Sequence, residues 1–530
     1  MRCIKASAHW ALKRRMACAV MLAFVCLWSV LLLLVHSPRA SFQHHGGRSS
    51  AQRLPPVAEP MSMQMREIRA AAAAAWKAYA ATGMTGDDLR PLQGGTEDTM
   101  RVQATLFDSL GTLYVMGLHD EYEQAVAEVL RRGAPRTLIY QTSAFEYNIR
   151  IVGGTLSAAQ LSGDKRLLAV AEEAAHTLLS SSYLLWPSPL PMGRVRMQPL
   201  TLTNFPLWLV ARVMDASWFL YERVFHGQKK SKIARVGSYS LELRALTQAT
   251  GNKRYACAAD AIQSHILSNA THAWPVGPDF HRGATGVPAL WDTLTGEGLT
   301  CADPSLGTGS DSFWEYLLKS HLQMPNDAPH LYVDLYRKLA QQLEHEVSTV
   351  AFEDNQFIFS YKGRLHVSHI AGKRLHEHLG CYIPGLLMLG ASTLADRKGS
   401  SDMDTAKRLL DGCLWTYEDA SVTSTGLGGE FMNLDDMSVD LPGNFQYLLR
   451  PETAESVFVA WRMTGDQRYR DAAWRIFTAI LQLQVKGGGG FHGVEDVRLG
   501  FNRELGLGIV DQQPSYFIAE TLKSVTRAWA

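Results

Sequence analysis

Apolar residues recur at helical spacing along most of this chain. The segment from Ile68 to Ala81 is rich in Ala and predicts a helix, in which Trp76 and Tyr79 are expected to face the core. Strict alternation of apolar and polar residues, which is typical of strands, is scarce beyond Met61. The pattern therefore predicts an all-α fold.

A short pattern that ends one helix and starts the next recurs along the chain. It occurs at 161–174, 249–262 and 463–476, with a looser copy at 116–129. In each copy a Gly occupies the position of a left-handed turn, and Asp or Asn lies at or just after it, before the second helix. These corners predict helix hairpins. Solenoid repeats recur every 20–50 residues or so, whereas the corner glycines at 163, 251 and 465 are unevenly spaced, which favours a closed toroid of helix pairs.

The N-terminal region predicts a membrane anchor. Residues 16–35 carry no charge and are long enough to cross a bilayer core of about 30 Å as a helix. Basic residues precede this segment, which predicts a cytosolic tail at 1–15, a transmembrane signal anchor at 16–35, a lumenal stem at 36–62 and a folded lumenal domain at 63–530. A cleaved signal peptide is the alternative, but its apolar run is usually only about 7–15 residues long.

Composition adds two constraints. The 52 Lys and Arg residues balance the 51 Asp and Glu residues, so no charge bias indicates nucleic-acid binding. Four cysteines would lie in the lumen, where disulfides form: Cys257, Cys301, Cys381 and Cys413. Their pairing stays open on the residues alone.

Carboxylates in apolar or Gly-rich surroundings are candidates for chemistry, because a surface role is less expected there. Cleavage of a glycosidic bond, for example, needs two carboxyl groups that flank the bond. Three such segments pair charged residues at helical spacing: Glu146 with Arg150, Asp311 with Glu315, and Glu452 with Glu455. Aromatic neighbours would raise the pKa of Asp311 and Glu315 by desolvation, and Pro451 would place Glu452 in the first turn of a helix.

A fourth segment, from His376 to Gly390, is apolar, carries histidines and is broken by Pro384-Gly385. Each feature also has a plainer explanation. A single charged pair more often stabilises a helix surface, Glu452 could favour a helix N-terminus electrostatically, and a lone His such as His378 is more often a hydrogen-bonded core residue. The joint occurrence and order of the four segments favours a functional site.

Ordered motifs extend from about Met65 to the C-terminus. They are TLFDSLGTLYVMGL (105–118), FEYNIRIVGGTLSAAQLSGD (145–164), VGSYSLELRALTQATGN (236–252), SDSFWEYLLK (310–319), HLGCYIPGLLMLGA (378–391), TGLGGE (425–430), LLRPETAES (448–456) and SYFIAETLK (515–523). With these motifs the chain resembles glycoside hydrolase family 47, the class I α-1,2-mannosidases.

The resemblance implies an (αα)7 barrel behind the anchor. It also implies a calcium-dependent, inverting glycosidase that removes α-1,2-linked mannose from high-mannose N-glycans on glycoproteins. The protein would be a type II single-pass membrane protein of the ER or Golgi, with its catalytic domain in the lumen. Neither the choice between ER and Golgi nor the preferred mannose branch is assigned by the sequence.

The resemblance also implies roles for individual residues. Glu146 is similar to the family's acid-side carboxylate, Asp311 to a second candidate for the general acid acting through a water, and Glu452 to the general base. The residues expected to line the pocket and bind the substrate are Arg150, Glu315, His378, Glu430, Arg450 and Glu455. Cys381 and Cys413 match the cysteines of the family disulfide.

Three departures from the family pattern bear on these expectations. Gly111 stands where the family usually has a second Asp, and Gln513-Pro514 stand where it usually has Met-Glu. The sequence to Ala530 does not include the Thr-Glu-Ala-His-Pro segment whose Thr binds calcium in the family, so the metal ligands are unknown. The alternative to an enzyme is a catalytically impaired glycan-binding factor in quality control of misfolded glycoproteins. A helical scaffold without a sugar site is a third hypothesis.

Overall fold

The computed structural model describes residues 62–182, 188–201, 203–226, 230–270, 287–299, 306–325, 330–348, 368–370, 373–420, 422–433, 445–502 and 505–529. The predicted tail, anchor and nearly all of the stem lie outside these residues, as do Cys301 and the Thr of a glycosylation sequon at Asn269. None of the helices in the described ranges is both long and apolar enough to cross a membrane.

Helices dominate the described residues. In the N-terminal half they are α1 (Met63–Ala80), α2 (Ala104–Asp108), α3 (Leu110–Val115), α4 (His119–Arg132), α5 (Ala144–Glu146), a π-helix (Tyr147–Gly153), α6 (Gly154–Ser162), α7 (Lys165–Ser182), α8 (Phe205–His226), α9 (Ile233–Gly237), α10 (Ser240–Thr250) and α11 (Arg254–Ala270). In the C-terminal half they are α12 (Asp311–Gln323), α13 (His330–Ser348), a 3₁₀ turn (His378–Tyr382), α14 (Ile383–Thr393), a second 3₁₀ turn (Ala395–Arg397), α15 (Asp402–Glu418), α16 (Glu452–Thr464), α17 (Gln467–Leu481), a second π-helix (Phe517–Thr521) and α18 (Leu522–Trp529).

The strands are short and form small antiparallel sheets between the helices. They are β1 (Asp88–Leu89), β2 (Thr96–Glu97), β3 (Thr142–Ser143), β4 (Arg194–Val195), β5 (Lys230–Lys232), β6 (Leu290–Asp292), β7 (Gly298–Leu299), β8 (Ser368–Ile370), β9 (Lys373–Glu377), β10 (Phe431–Asn433), β11 (Gly493–Val494) and β12 (Ile509–Val510). Their sheets pair β1 with β2, β3 with β4, β11 with β12, and join β5-β6-β7 and β8-β9-β10. The prediction of a helical fold with few strands is thus confirmed.

The predicted helix corners form as expected. Gly163, Gly251 and Gly465 end their helices with φ of 72°, 73° and 68°, the left-handed conformation that glycine adopts at little cost. The next residue in each corner accepts a backbone N–H two residues later: Asp164 from Arg166, Asn252 from Arg254 and Asp466 from Arg468. The helices that flank each corner pack against each other, so each corner closes a helix hairpin.

Two sequence expectations are refined by the structure. The first helix begins at Met63, before Ile68, because Ser62 caps it by accepting the backbone N–H of Met65. The sequence predicts a break at Pro384, but Pro384 does not interrupt a helix. It lies in the first turn of α14, where a missing N–H costs nothing. Trp76 and Tyr79 are fully buried in the core, as predicted.

A disulfide joins Cys381 to Cys413, with their Cα atoms 6.0 Å apart. It connects the turn that carries His378 to α15, and closing a loop of this size stabilises a fold by about 3 kcal/mol in the chain-entropy model. Cys257 is a free and exposed thiol.

Candidate active site

Arg150 organises one half of a polar cluster. Its Nε donates to Glu146 at 2.9 Å, and one Nη donates to Asp108 at 2.8 Å and to Ser515 at 2.9 Å. Burial opposes the charge on Arg150, but Glu146, Asp108 and Glu520 outweigh burial and hold the pKa of its guanidinium well above the usual value. The i,i+4 pair predicted from the sequence therefore forms, and the fold adds Asp108 to it.

Local backbone geometry brings Asp108 to Arg150. Gly154 follows the π-helix, and a Cβ at this position would lie only 2.6 Å from the carbonyl oxygen of Phe107. Glycine is thus needed for α6 to approach the end of α2 so closely. π-helical segments are frequent at functional sites, and here one carries Arg150 while the other, Phe517–Thr521, carries Glu520.

Glu452 organises the other half. It occupies the first turn of α16 after Pro451, as predicted, and its Oε2 lies 3.2 Å from Nδ1 of His378. Burial is the main cause that lowers the pKa of His378 to about 4, so this imidazole is neutral. A neutral imidazole that donates through Nδ1 must accept at Nε2, where the hydroxyl of Tyr417 lies at 2.7 Å and can donate. His378 can therefore support an ionised Glu452.

Arg450 holds Glu430 beside this pair. Its Nε lies 2.7 Å from both carboxylate oxygens of Glu430, and the backbone carbonyl of Glu430 accepts the N–H of His378. Leu449 precedes Arg450 with a φ of 62°, an uncommon conformation for a residue with a Cβ. The hydroxyl of Thr521 donates to the carbonyl of Leu449 at 2.7 Å and holds this turn.

The predicted residues of α12 join the same half. Burial, followed in part by repulsion from Glu452, raises the pKa of Asp311 to about 6. Burial is also the main cause that raises the pKa of Glu315 to about 7, with a further rise from Glu455. Lys319 donates to Glu315 at 2.8 Å and to Glu455 at 3.3 Å, and so holds the two carboxylates together.

Tyr516 and Glu520 connect the two halves, and both were missed as site residues. The ring of Tyr516 lies 5.8 Å from the guanidinium of Arg150 and 6.0 Å from that of Arg450. Burial raises the pKa of Glu520 to about 8, with repulsion from Asp108 on one side and from Glu452 on the other. Glu520 is the only carboxylate of the apolar segment 515–523, and this position in apolar surroundings is the sequence signal that marks it.

The structure brings the predicted residues together around one group of charges. Asp311 and Glu452 interact electrostatically, and Glu146 is connected to them through Arg150 and Glu520. Glu377 is a further carboxylate that was missed. It accepts the N–H of Thr308, and burial raises its pKa to about 7, with repulsion from Asp311.

A cavity of about 230 Å³ opens onto Glu146 and Arg150. Its wall also includes Asp88, Ser143, Arg194, Arg235, Ser515 and Tyr516. Two carboxylates of the site reach open space, since the side chain of Glu146 is 31% exposed and that of Glu455 36%. A water-accessible cavity beside a cluster in which several carboxyl groups have raised pKa values is suited to acid–base chemistry on a polar ligand.

The family model described as Glycosyl hydrolase family 47 matches residues 71–525. The chain belongs to this family. Its helical fold is similar to the solved structure of alpha-1,2-mannosidase from Trichoderma reesei, with a TM-score of 0.68 at 23% identity, over 89% of this chain and 94% of that one.

Curated relatives of this family 47 member include a mannosyl-oligosaccharide 1,2-alpha-mannosidase of Arabidopsis thaliana. It is 30% identical over 472 residues, which cover 88% of this chain and 75% of the plant protein. The human endoplasmic reticulum mannosyl-oligosaccharide 1,2-alpha-mannosidase is 28% identical over 461 residues, which cover 85% of this chain and 58% of the human protein. The chain thus spans less than two thirds of the human relative.

The family resemblance implies a calcium ion, and the described side chains of this family 47 domain do not identify its ligands. Within the described ranges, no group of three or more His, Cys, Asp or Glu side chains is arranged to hold a metal. Burial is the main cause that raises the pKa of both Glu452 and Glu520 to about 8; the charge of Glu455 adds to both rises, and that of Glu452 adds to the rise of Glu520.

One departure from the family pattern leads to a stability prediction. Gly111 lies in α3, and a Cβ there would lie 3.2 Å from the hydroxyl oxygen of Ser157, which can rotate away, and 3.8 Å from Nζ of Lys523, whose pKa is lowered mainly by burial. Gly111→Asp is expected to stabilise the fold by about 1 kcal/mol, because the carboxylate reaches Lys523 and a glycine is removed from a helix. The check is a rise of about 1–2 °C in thermal midpoint. Gly111→Asn is the uncharged control, and an equal rise in both variants would contradict the ion pair.

Proposed function

We propose that this family 47 protein is an inverting glycosidase that removes α-1,2-linked mannose from high-mannose N-glycans. The observation that carries the proposal is the grouping of Glu146, Asp311 and Glu452 around Arg150, Arg450 and Tyr516 in a buried polar cluster. The names of the curated relatives agree with this substrate.

In the proposed reaction, Glu452 takes a proton from a water molecule. The oxygen of that water attacks the anomeric carbon on the face opposite the leaving group, while the bond to the leaving oxygen breaks. Asp311, acting through a water, or Glu146 supplies the proton that the leaving oxygen needs. The raised pKa of Asp311, about 6, suits a group that is partly protonated near neutral pH.

The remaining polar residues of the cluster are proposed to bind the sugar and to hold the reacting carboxylates in position. Arg450 offsets the negative charge of Glu452, neutral His378 can donate a hydrogen bond to it, and Arg150 holds Glu146 in place. Glu315, Glu430 and Glu455 would accept hydrogen bonds from sugar hydroxyls, with Lys319 limiting the repulsion between Glu315 and Glu455.

The wider assignment is part of the same proposal. The helix hairpins are proposed to close into an (αα)7 barrel, behind a transmembrane signal anchor at 16–35 and a stem at 36–62. This arrangement would make the protein a type II membrane protein of the ER or Golgi with its catalytic domain in the lumen. Calcium is proposed from family membership, and a higher thermal midpoint when calcium is returned to chelator-treated protein would support it.

Proton NMR of the reaction with a high-mannose glycan tests the function. We expect release of free mannose that appears first as the β-anomer, because inversion converts the α-linkage into a β-product. The alternative, a glycan-binding quality-control factor, predicts binding without mannose release. Lack of release by the full-length protein with calcium supplied would reject the glycosidase.

The pH profile provides a second measurement. Glu452 has a pKa raised to about 8, mainly by burial and further by Glu455 and Glu315, against the lowering effect of Arg450. The reaction needs Glu452 ionised and Asp311 protonated; because the pKa of Glu452 exceeds that of Asp311, which is about 6, the basic limb of kcat/KM follows the pKa of Glu452. Glu455→Gln removes a negative neighbour, so the limb is expected to move to lower pH. Glu418→Gln, on the exposed surface of α15, is the control. A shift to higher pH would contradict the assignment of Glu452 as base.

A further inference from the structure

Two arginines in the wall of the 230 Å³ cavity have no role in the proposed reaction. Arg194 and Arg235 line this cavity together with Glu146, and both side chains are exposed. Arg194 donates to the carbonyl oxygen of Gln141 at 3.1 Å. Among the described residues, no carboxylate forms an ion pair with either guanidinium. Two positive charges are therefore available to a ligand beside Glu146.

The backbone holds Arg194 close to Glu146. Arg194 in β4 is the cross-strand partner of Ser143 in β3, and the hydroxyl of Ser143 accepts the N–H of Glu146 at 3.3 Å. Ala144, which follows Ser143, donates its N–H to the carbonyl of Gly193. A short strand pair thus joins Arg194 directly to the turn of Glu146.

Arg235 approaches from another wall of the cavity. It lies on α9, which packs against α5, the turn that ends at Glu146. The N–H of Ala234 donates to the carbonyl of Gly309, just before the helix that begins at Asp311. Arg235 is therefore held in position by contacts with the elements that carry Glu146 and Asp311, the two proposed acid candidates.

The loop that contributes Thr99 and Met100 to the cavity wall continues into a third basic residue, Arg101. Thr99 and Met100 line the cavity, and the carboxylate of Asp87 accepts the N–H groups of Met100 and Arg101, which holds this loop. The guanidinium of Arg101 stacks 3.3 Å from the ring centroid of Tyr140, which is half-exposed.

The acidic groups of the cavity do not neutralise these arginines. The carboxylate of Glu146 is engaged by Arg150, and that of Asp88 accepts hydrogen bonds from Gln512 and from the N–H of Ser515. A neutral mannose needs hydrogen-bond donors but not two unpaired guanidinium groups. Guanidinium groups bind phosphate and carboxylate in a bidentate manner, with stronger hydrogen bonds than neutral donors make.

We propose that Arg194 and Arg235 form an oxyanion subsite next to Glu146, which accepts a phosphate or carboxylate carried by a sugar of the glycan. The inference rests on the proposed function for the identity of the glycan, but binding of the oxyanion is measured independently of hydrolysis. The subsite would make the protein select acidic glycans over neutral ones.

Calorimetric titration of the full-length protein tests the subsite. The ligands are mannose, mannose 6-phosphate and glucuronic acid, with the last two separating phosphate from carboxylate. We expect an acidic sugar to bind at least about tenfold more tightly than mannose. Arg235→Gln and Arg194→Gln should each remove most of that advantage and leave mannose binding unchanged. Arg475→Gln, in an exposed ion pair with Glu418, is the control that should keep the full advantage.

Two outcomes would overturn the inference. Equal affinity for mannose and both acidic sugars would show that no oxyanion subsite exists. Parallel weakening of neutral and acidic sugars in the Arg194 and Arg235 variants would show that these arginines bind sugar hydroxyls instead. If acidic sugars bind as expected while high-mannose glycan is not cleaved, the subsite stands and the proposed hydrolysis fails.

Discussion

Glu452→Gln is expected to lower kcat for mannose release by about 10³-fold, within the range that general-base catalysis contributes. The variant keeps the shape of the side chain and a hydrogen-bond acceptor for His378, which lies 3.2 Å away. It removes only the group that can take a proton from the attacking water. The loss is therefore expected in kcat, with a small change in KM.

Controls separate this effect from a loss of folding. Glu452 is buried with a raised pKa, so its replacement by a neutral isostere should not destabilise the protein. The thermal midpoint of Glu452→Gln should equal or exceed that of the wild type, while Glu418→Gln should retain full activity. A Glu452→Gln protein with near-normal kcat would remove Glu452 from the role of base.

Arg150→Met is expected to lower the free energy of unfolding by about 3 kcal/mol, as when one partner of a buried ion pair is removed. Arg150 is 14% exposed and Asp108 only 10% exposed, so the carboxylate would remain buried without its partner. Glu146 and Glu520 would lose the same positive charge. Activity is expected to fall as well, because Glu146 would no longer be held in position. Urea unfolding gives the stability and kcat/KM gives the activity.

A double variant tests the physical reason for this loss. Asp108→Asn in the Arg150→Met background removes the unpaired charge, so the double variant should be more stable than Arg150→Met alone. Arg475→Met, which breaks an exposed pair with Glu418, should change stability by less than about 1 kcal/mol. If Asp108→Asn destabilises the Arg150→Met protein further, the buried ion pair is not the cause.

Features that depend on neighbouring residues were predictable from the sequence. The corner glycines, the pairing of Glu146 with Arg150 and the position of Glu452 after Pro451 all follow from helix geometry, in which residues three or four apart share a face. The disulfide between Cys381 and Cys413 came from the family resemblance and is present. The sequence gave no such indication of a partner for Cys257 or Cys301.

Features that depend on non-local packing were not predictable in the same way. Nothing in the sequence around Glu452 indicates that Arg150, Asp108 and Glu520 lie in the same cluster. The close approach at Gly154 and the two π-helical segments are results of how helices fit together. Helical spacing sets only which residues share a face, and does not specify the partner of that face.

The sequence by itself determined the helical class, the hairpin corners, the family and the short-range pairs that carry the candidate carboxylates. Only the tertiary structure decided that Tyr516 lies between Arg150 and Arg450, that Glu520 joins the two halves of the site, and that Arg194 and Arg235 share the cavity of Glu146. The reason is that hydrogen bonds within a helix are set by residues a few positions apart, whereas a pocket is formed by residues that packing brings together from hundreds of positions apart.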